Sequence, residues 1–391
     1  MTIDINGTVS RSLPASGGET TVEVRIDPMA KAKPTSRHVV LLIDTSGSMS
    51  GQKIENAKEG ATKALNELAD EDFVSIVGFD SGLEVVLPMT RWGDIDQDSA
   101  KRDVGNINSG GGTDIYKGLE KARDHLIEDT PNGSGAVKRI ILLSDGQDRY
   151  DPPTYRDLAA DYDEEGISIM AAGIGSAYDE AVMLALANAS GGTPADLSED
   201  DIDEFLGETV SDTDQVIVPN PELEIDPAQG FILNSDEIYF DAPKIEQRTI
   251  DTNEMPAVVG LPELQVDESH RLTFEALGQP KSGGMIHKLA DLRVFDENQS
   301  VIGETTVEVE YKDQAGIQKA AVEKNRAAAR ITTAIQDPTV SKEQVTDSID
   351  ELEDKGWTDT ANDLKEKLST ADEDGGIIRI SKSRLDEASD E

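Results

Sequence analysis

The 391-residue chain contains no cysteine, so neither disulfides nor thiol chemistry contributes to its stability or function. Cations are scarce. Lys and Arg number 36 against 79 Asp and Glu, a formal net charge of −43. Nucleic-acid phosphates would meet a surface of their own sign, which argues against such a partner. Long apolar runs are missing too: none reaches the roughly 18 residues that a membrane-spanning helix needs. The opening MTIDINGTVSRSLPASGG has no basic segment followed by an apolar one, and a cytoplasmic protein is expected. The four histidines, His38, His125, His270 and His287, are scattered without metal-ligand spacing and beside no nucleophile motif; His38 and His125 read as structural.

The acidic residues are spread over every segment. A compact state with this charge repels itself in dilute salt, whereas at about 1 M salt the Debye length falls to about 3 Å and the repulsion is screened. The composition resembles that of cytosolic proteins from salt-accumulating halophiles. With 37% apolar residues in clear periodic segments, the chain is not an acidic disordered one. Four Asn-x-Ser/Thr sequons, at Asn6, Asn132, Asn188 and Asn298, are chance matches without an export signal.

From Arg37 to about residue 213, short runs rich in Val, Ile and Leu (HVVLLID, DFVSIVGF, LEVVLP, KRIILL, ISIMAAGIG) alternate with amphipathic helical patterns. The helical patterns include KIENAKEGATKALNELA, TDIYKGLEKARDHLIE and DIDEFLGETV. Continuous β-rich runs separated by such helices predict an α/β fold, a doubly wound, mostly parallel sheet covered on both faces. Over residues 214–312 the helices give way to short alternating runs such as QVIVPNPELEI, RLTFEAL and TTVEVEY, the pattern of an antiparallel β-sandwich. TTVEVRI, at residues 20–26, alternates in the same way, so residues 1–36 are expected to join that sandwich and the α/β unit to be inserted within it. Residues 313–391 return to helical patterns: a helical hairpin and an acidic tail. Ser341 and Gln344 have capping-box spacing and Gly356 suits a helix end. Trp357, between two helix patterns, reads as core.

The chemistry-bearing residues gather on three loops. The first strand of the α/β region ends in Asp44-Thr45-Ser46-Gly47-Ser48, a carboxylate and two hydroxyls at alternate positions beyond a strand's carboxyl end, where open α/β sheets bind ligands. Gly110-Gly111-Gly112-Thr113-Asp114 precedes a helix, and Ser144-Asp145-Gly146 ends a later strand. Together they offer hard oxygen donors of the kind Mg²⁺ selects, an ion that keeps part of its water shell. Mn²⁺ accepts the same donors. Asp114 reads as an acid at a helix N-terminus.

On these residues the chain resembles the von Willebrand factor type A (vWA) family, whose metal-ion-dependent adhesion site has the pattern D-x-S-x-S, then Thr, then Asp. Asp44, Ser46, Ser48, Thr113 and Asp145 match each element. The resemblance implies that Ser46, Ser48 and Thr113 touch the ion and that Asp44 and Asp145 act through bridging waters. It further implies a protein-binding module in which the ion takes an Asp or Glu carboxylate of a partner, as a scaffold or adaptor in an intracellular complex. Related domains shift their last helix on engagement, which here is the segment at residues 201–210.

Enzyme motifs fail in detail. A haloacid-dehalogenase-type phosphatase needs a second carboxylate where Ser46 stands, and GGGTDIYKG lacks the phosphate-loop order. Tyr178 occupies the third glycine position after Gly173 and Gly175, against a dinucleotide site. No enzyme is expected. An adaptor of an AAA+ ATPase, a metal-dependent hydrolase and a cell-surface adhesin remain as alternatives.

Overall fold

The computed structural model describes residues 3–29, 36–130, 136–235, 237–243, 246–253, 255–296, 298–313, 320–336 and 342–370. Asn132, Ser341 and the acidic tail lie outside them. The described residues divide into two compact units, one of residues 36–219 and one combining residues 3–29 with residues 220–370. The chain opens with three strands, β1 (Ile3–Val9), β2 (Leu13–Pro14) and β3 (Gly18–Pro28), which belong to the second unit.

The first unit runs β4 (Arg37–Asp44), α1 (Gln52–Asn66), β5 (Phe73–Phe79), β6 (Leu83–Arg91), α2 (Gln97–Gly105), α3 (Ile115–Glu128), β7 (Val137–Ser144) and α4 (Pro152–Glu164). It continues with β8 (Ile167–Ile174), α5 (Glu180–Ala189), β9 (Pro194–Leu197), α6 (Ile202–Ser211) and β10 (Val216–Val218). Six strands pair in the order β6-β5-β4-β7-β8-β9, all parallel except β6. β4 is buried along its whole length, and its side chains alternate between two cores. Val39, Leu41 and Ile43 pack with Ile54, Ala61 and Leu65 of α1, Val104 of α2 and Leu206 of α6. Val40 and Leu42 pack with Leu119 of α3, Tyr155 of α4 and Leu186 of α5. A strand buried on both faces has no polar side to alternate with, so β4 reads as a continuous apolar run. This is the doubly wound α/β fold that the sequence pattern predicts.

The abundant acids also start the helices. Asp96, Asp114, Asp151 and Asp179 each accept a hydrogen bond from the backbone N–H three residues on, satisfying a donor that the first turn leaves free. Two elements have no counterpart in the sequence reading. α2 buries only Ala100 and Val104, too few apolar positions to register a period, and β9 is a four-residue edge strand.

The second unit continues with β11 (Glu222–Pro227), β12 (Phe231–Leu233), β13 (Glu237–Ala242), β14 (Glu246–Thr249), β15 (Ala257–Gly260) and β16 (Leu264–Gln265). β17 (His270–Gly278), β18 (Met285–Phe295) and β19 (Val301–Lys312) complete its strands. One sheet has the order β1-β3-β17-β13-β14, with β12 also on β17. The other has the order β15-β11-β18-β19-β2, antiparallel except for β2 on β19. β3 pairs with β17 over nine residues, Gly18 to Ile26 against Gly278 to His270, although some 250 positions separate them in the chain. The sheets pack face to face where β1 lies on β19, burying Val22, Val24, Leu272, Phe274, Leu292, Val307 and Val309.

Three helices follow: α7 (Ala320–Gln336), α8 (Lys342–Asp354) and α9 (Thr358–Thr370). Ile331 and Ile335 of α7 join Val345, Ile349 and Leu352 of α8 and Ala361, Leu364 and Leu368 of α9 in one core, with Trp357 packed at its margin. The hairpin of α8 and α9 is therefore part of a three-helix cluster, and α7 also packs on β13 and β14. α8 ends at Gly356, whose φ of +80° suits glycine and whose N–H donates to Glu353 O at 2.8 Å.

Candidate metal centre

Three connections at the carboxyl ends of β4 and β7 and at the start of α3 converge on one spot. They are tied by backbone bonds: Thr45 N donates to Phe79 O (2.8 Å), Gly110 N to Thr45 O (2.7 Å) and Gly47 N to Gly111 O (3.1 Å). The β4 loop is thus pinned to its neighbouring strand and to the glycine-rich loop before any side chain is considered.

On this frame the side chains form a chain of hydrogen bonds. Asp44 is fully buried; its Oδ1 accepts from Ser46 N at 2.7 Å and its Oδ2 from Ser144 Oγ at 2.5 Å. Ser46 Oγ and Ser48 Oγ lie 3.0 Å apart, and Ser48 Oγ donates to Asp145 Oδ1 at 2.7 Å. The other oxygen of Asp145 is engaged by the Lys53 ammonium from α1. Burial pushes the Asp44 carboxyl above the usual carboxylate range and the Asp145 charge adds to this, while the bonds from Ser144 and Ser46 oppose it. Thr113 stands across from them: a Cβ added at Gly146 would lie 2.9 Å from Thr113 Oγ1 and 3.6 Å from Asp44 Oδ2. Only a residue without a side chain leaves room there for these two groups to face each other.

The structure therefore brings Asp44, Ser46, Ser48, Thr113 and Asp145 to one place. Among the described residues no three His, Cys, Asp or Glu side chains gather as a metal-binding group. A site built on Asp44 and Asp145 thus depends on its hydroxyls for the remaining protein donors. Two desolvated carboxylates, three hydroxyls and no nitrogen or sulfur donor form a hard-oxygen set that fits Mg²⁺ or Mn²⁺. With Lys53 counted, two carboxylates less one ammonium leave a single net negative charge.

Around the site, the roles of Ser144, Asp148 and Lys53 were not read from the sequence, whereas Asp114 stands at a helix N-terminus as read. Ser144 fixes Asp44 from the strand end. Asp148 accepts from Ile115 N at 2.7 Å and from the Tyr155 hydroxyl, closing the start of α3 against α4; burial and this bond raise the Tyr155 phenol. Asp114 caps α3 through Lys117 N at 3.2 Å and pairs with Arg149 at 3.1 Å. Lys53 had a faint signal, a cation in the first turn of an amphipathic helix where the helix dipole disfavours it. His38 and His125 stand away from this network: His38 meets the Phe73 ring edge-on, and His125 Nδ1 lies 2.7 Å from Ser75 Oγ.

Comparison with known proteins bears on the domain that carries these loops. The family model for the von Willebrand factor type A domain matches residues 38–207. Inter-alpha-trypsin inhibitor heavy chain H3 of Rattus norvegicus is 31% identical over 125 residues, covering 28% of this chain and 13% of that protein. An uncharacterised protein of Synechocystis is 27% identical over 201 residues, 49% of this chain and 46% of that one. The chain thus spans less than half the length of either curated relative. Among solved structures, a von Willebrand factor type A protein from Catenulispora acidiphila is similar in fold with a TM-score of 0.76 at 20% identity, covering 94% of this chain and 89% of that one. The ArnB paralog VWA2 from Sulfolobus acidocaldarius has a TM-score of 0.61 at 18% identity, covering 95% and 94%. By sequence as well as by fold, residues 38–207 form a von Willebrand factor type A domain.

Proposed function

We propose that this chain is a metal-dependent protein-binding module, not an enzyme, and that it serves as a scaffold or adaptor inside the cell. The observation that carries the reading is the convergence of Asp44, Ser46, Ser48, Thr113 and Asp145 from three loops, linked from Asp44 to Asp145 by hydrogen bonds through Ser46 and Ser48. Bound Mg²⁺ would supply a Lewis-acidic position able to accept one carboxylate oxygen of an Asp or Glu on a partner protein. The residues of the chain prepare that position. Ser46, Ser48 and Thr113 present neutral oxygens, which leave an ion more electron-poor than carboxylates would. Asp44 and Asp145 supply charge and are themselves held by Ser144, Ser46 and Ser48, so the donors are oriented before an ion arrives. In concentrated salt, long-range attraction between partners is screened, and recognition has to come from direct bonds and packing.

The test is a pull-down in concentrated KCl with wild type plus Mg²⁺, wild type plus EDTA, and the double variant Ser46→Ala with Ser48→Ala. A partner retained only by the metal-loaded wild type is the expected result. Identical captures in all three would assign the function to the sandwich or the helices instead.

A further inference from the structure

Lys53 is the second residue of α1, and its ammonium is seated on Asp145 Oδ2 while Ser48 Oγ holds Oδ1. The carboxylate has 0% side-chain exposure and the lysine 19%, so the contact sits just inside the rim of the site. The helix does not favour a cation here. Its N-terminal turn carries the positive end of the dipole, and the preceding Gly51 offers no side-chain cap. Asp145 is what holds the ammonium in place. Both oxygens of a carboxylate assigned to the metal are thereby occupied, one by a positive charge belonging to the chain itself.

We propose that Lys53 is a tethered competitor of the divalent ion, a residue that sets the metal affinity of the site. This rests on the metal-binding reading above. Without metal, the ammonium neutralises Asp145 and keeps the two carboxylates from repelling each other across the Ser46–Ser48 bridge. A divalent ion and an ammonium drawn to the same carboxylate repel at close range, so each weakens the other's hold. The lysine head leaves by rotating its stem outward to the solvent it already partly meets. Metal affinity is then the ion's own binding reduced by the strength of the Lys53–Asp145 pair.

The experiment uses the full chain as wild type, Lys53→Met, Lys53→Gln, and Ser46→Ala with Ser48→Ala. Mn²⁺ binding is followed by the electron paramagnetic resonance of the free ion, and thermal midpoints are recorded in EDTA and in saturating MgCl₂. Both lysine variants are expected to bind Mn²⁺ roughly tenfold tighter or more than wild type, the order expected on removing a charge-assisted pair. Their midpoints should fall below wild type in EDTA and equal it in Mg²⁺; a merely structural lysine would lower both. Mn²⁺ affinity unchanged or weakened in the lysine variants overturns the proposal while wild-type binding keeps the metal site intact. No Mn²⁺ binding by any folded form removes the metal reading, and this proposal with it.

Discussion

His38 shows how far one buried group biases the whole chain. It is 4% exposed at the head of β4, edge-on to Phe73, with its Nδ1 unpartnered among the described residues. Burial, reinforced by the nearby Lys138, lowers its pKa from 6.5 to about 4. The unfolded imidazole therefore takes up a proton below pH 6.5 that the folded one refuses. Stability that is complete above this value is lost as pH falls towards 4, by about 3 kcal/mol. Urea unfolding of wild type and His38→Leu at pH 7.5 and 4.5 checks this: the stability advantage of wild type should shrink by that order on acidification, and a pH-independent difference would show that the ring is charged without penalty. At this same scale the candidate metal centre was largely legible. Asp44, Ser46, Ser48, Thr113 and Asp145 were readable because each is fixed by its place beyond a strand or before a helix. The parts played by Lys53, Ser144 and Asp148 were not. Their roles come from contacts 92, 100 and 33 residues apart in the chain, to Asp145, Asp44 and Ile115, which local spacing does not encode.

Between elements, Arg37 acts as a clamp at the end of the sheet opposite the metal loops. Its guanidinium pairs with Asp72 at the start of β5 and donates to Glu67 O after α1, at 2.7 Å, and to Val210 O of α6, at 3.2 Å. The side chains of Arg37 and Asp72 are 4% and 2% exposed. Asp72 also accepts from the backbone N–H groups of Arg37 and Ala69, so one carboxylate joins β4, β5 and the α1–β5 turn. Removing its charge strands a buried guanidinium, and Asp72→Asn is expected to cost about 3 to 5 kcal/mol, measurable by chemical denaturation. A loss below 1 kcal/mol would mean that solvent or another carboxylate takes over. Element identity followed from periodicity wherever burial was two-sided or strongly one-sided, as in β4, β7, α1 and α3. It failed for α2 and β9, where packing imposed by neighbours sets the conformation and the local sequence carries almost no apolar pattern. The strand character of residues 20–26 was visible in their alternation. The nine-residue pairing with β17 is a long-range contact that no local window contains.

For the whole molecule the excess of acid sets the conditions of stability. With 79 acidic and 36 basic residues, at least 43 carboxylates have no base of their own. Some acids are put to use as helix caps and some are paired, as Asp203 with Lys63 and Glu165 with Arg123. The remainder carry like charge, and their mutual repulsion falls as the Debye length shrinks from about 10 Å at 0.1 M salt to about 3 Å at 1 M. The same screening weakens exposed ion pairs, but each of these contributes at most about 1 kcal/mol. The uncompensated charges outnumber the cations available to form pairs, so relief of repulsion dominates. The thermal midpoint is accordingly expected to rise with KCl, most steeply at low salt and then levelling off, whereas sucrose, which leaves charge unscreened, should not reproduce the low-salt slope. Circular dichroism melts across a KCl series, with and without sucrose, measure this directly. A midpoint flat in KCl, or one that sucrose lifts equally well from dilute buffer, would show that the acidic surface is tolerated by a stable core and is not an adaptation to salt.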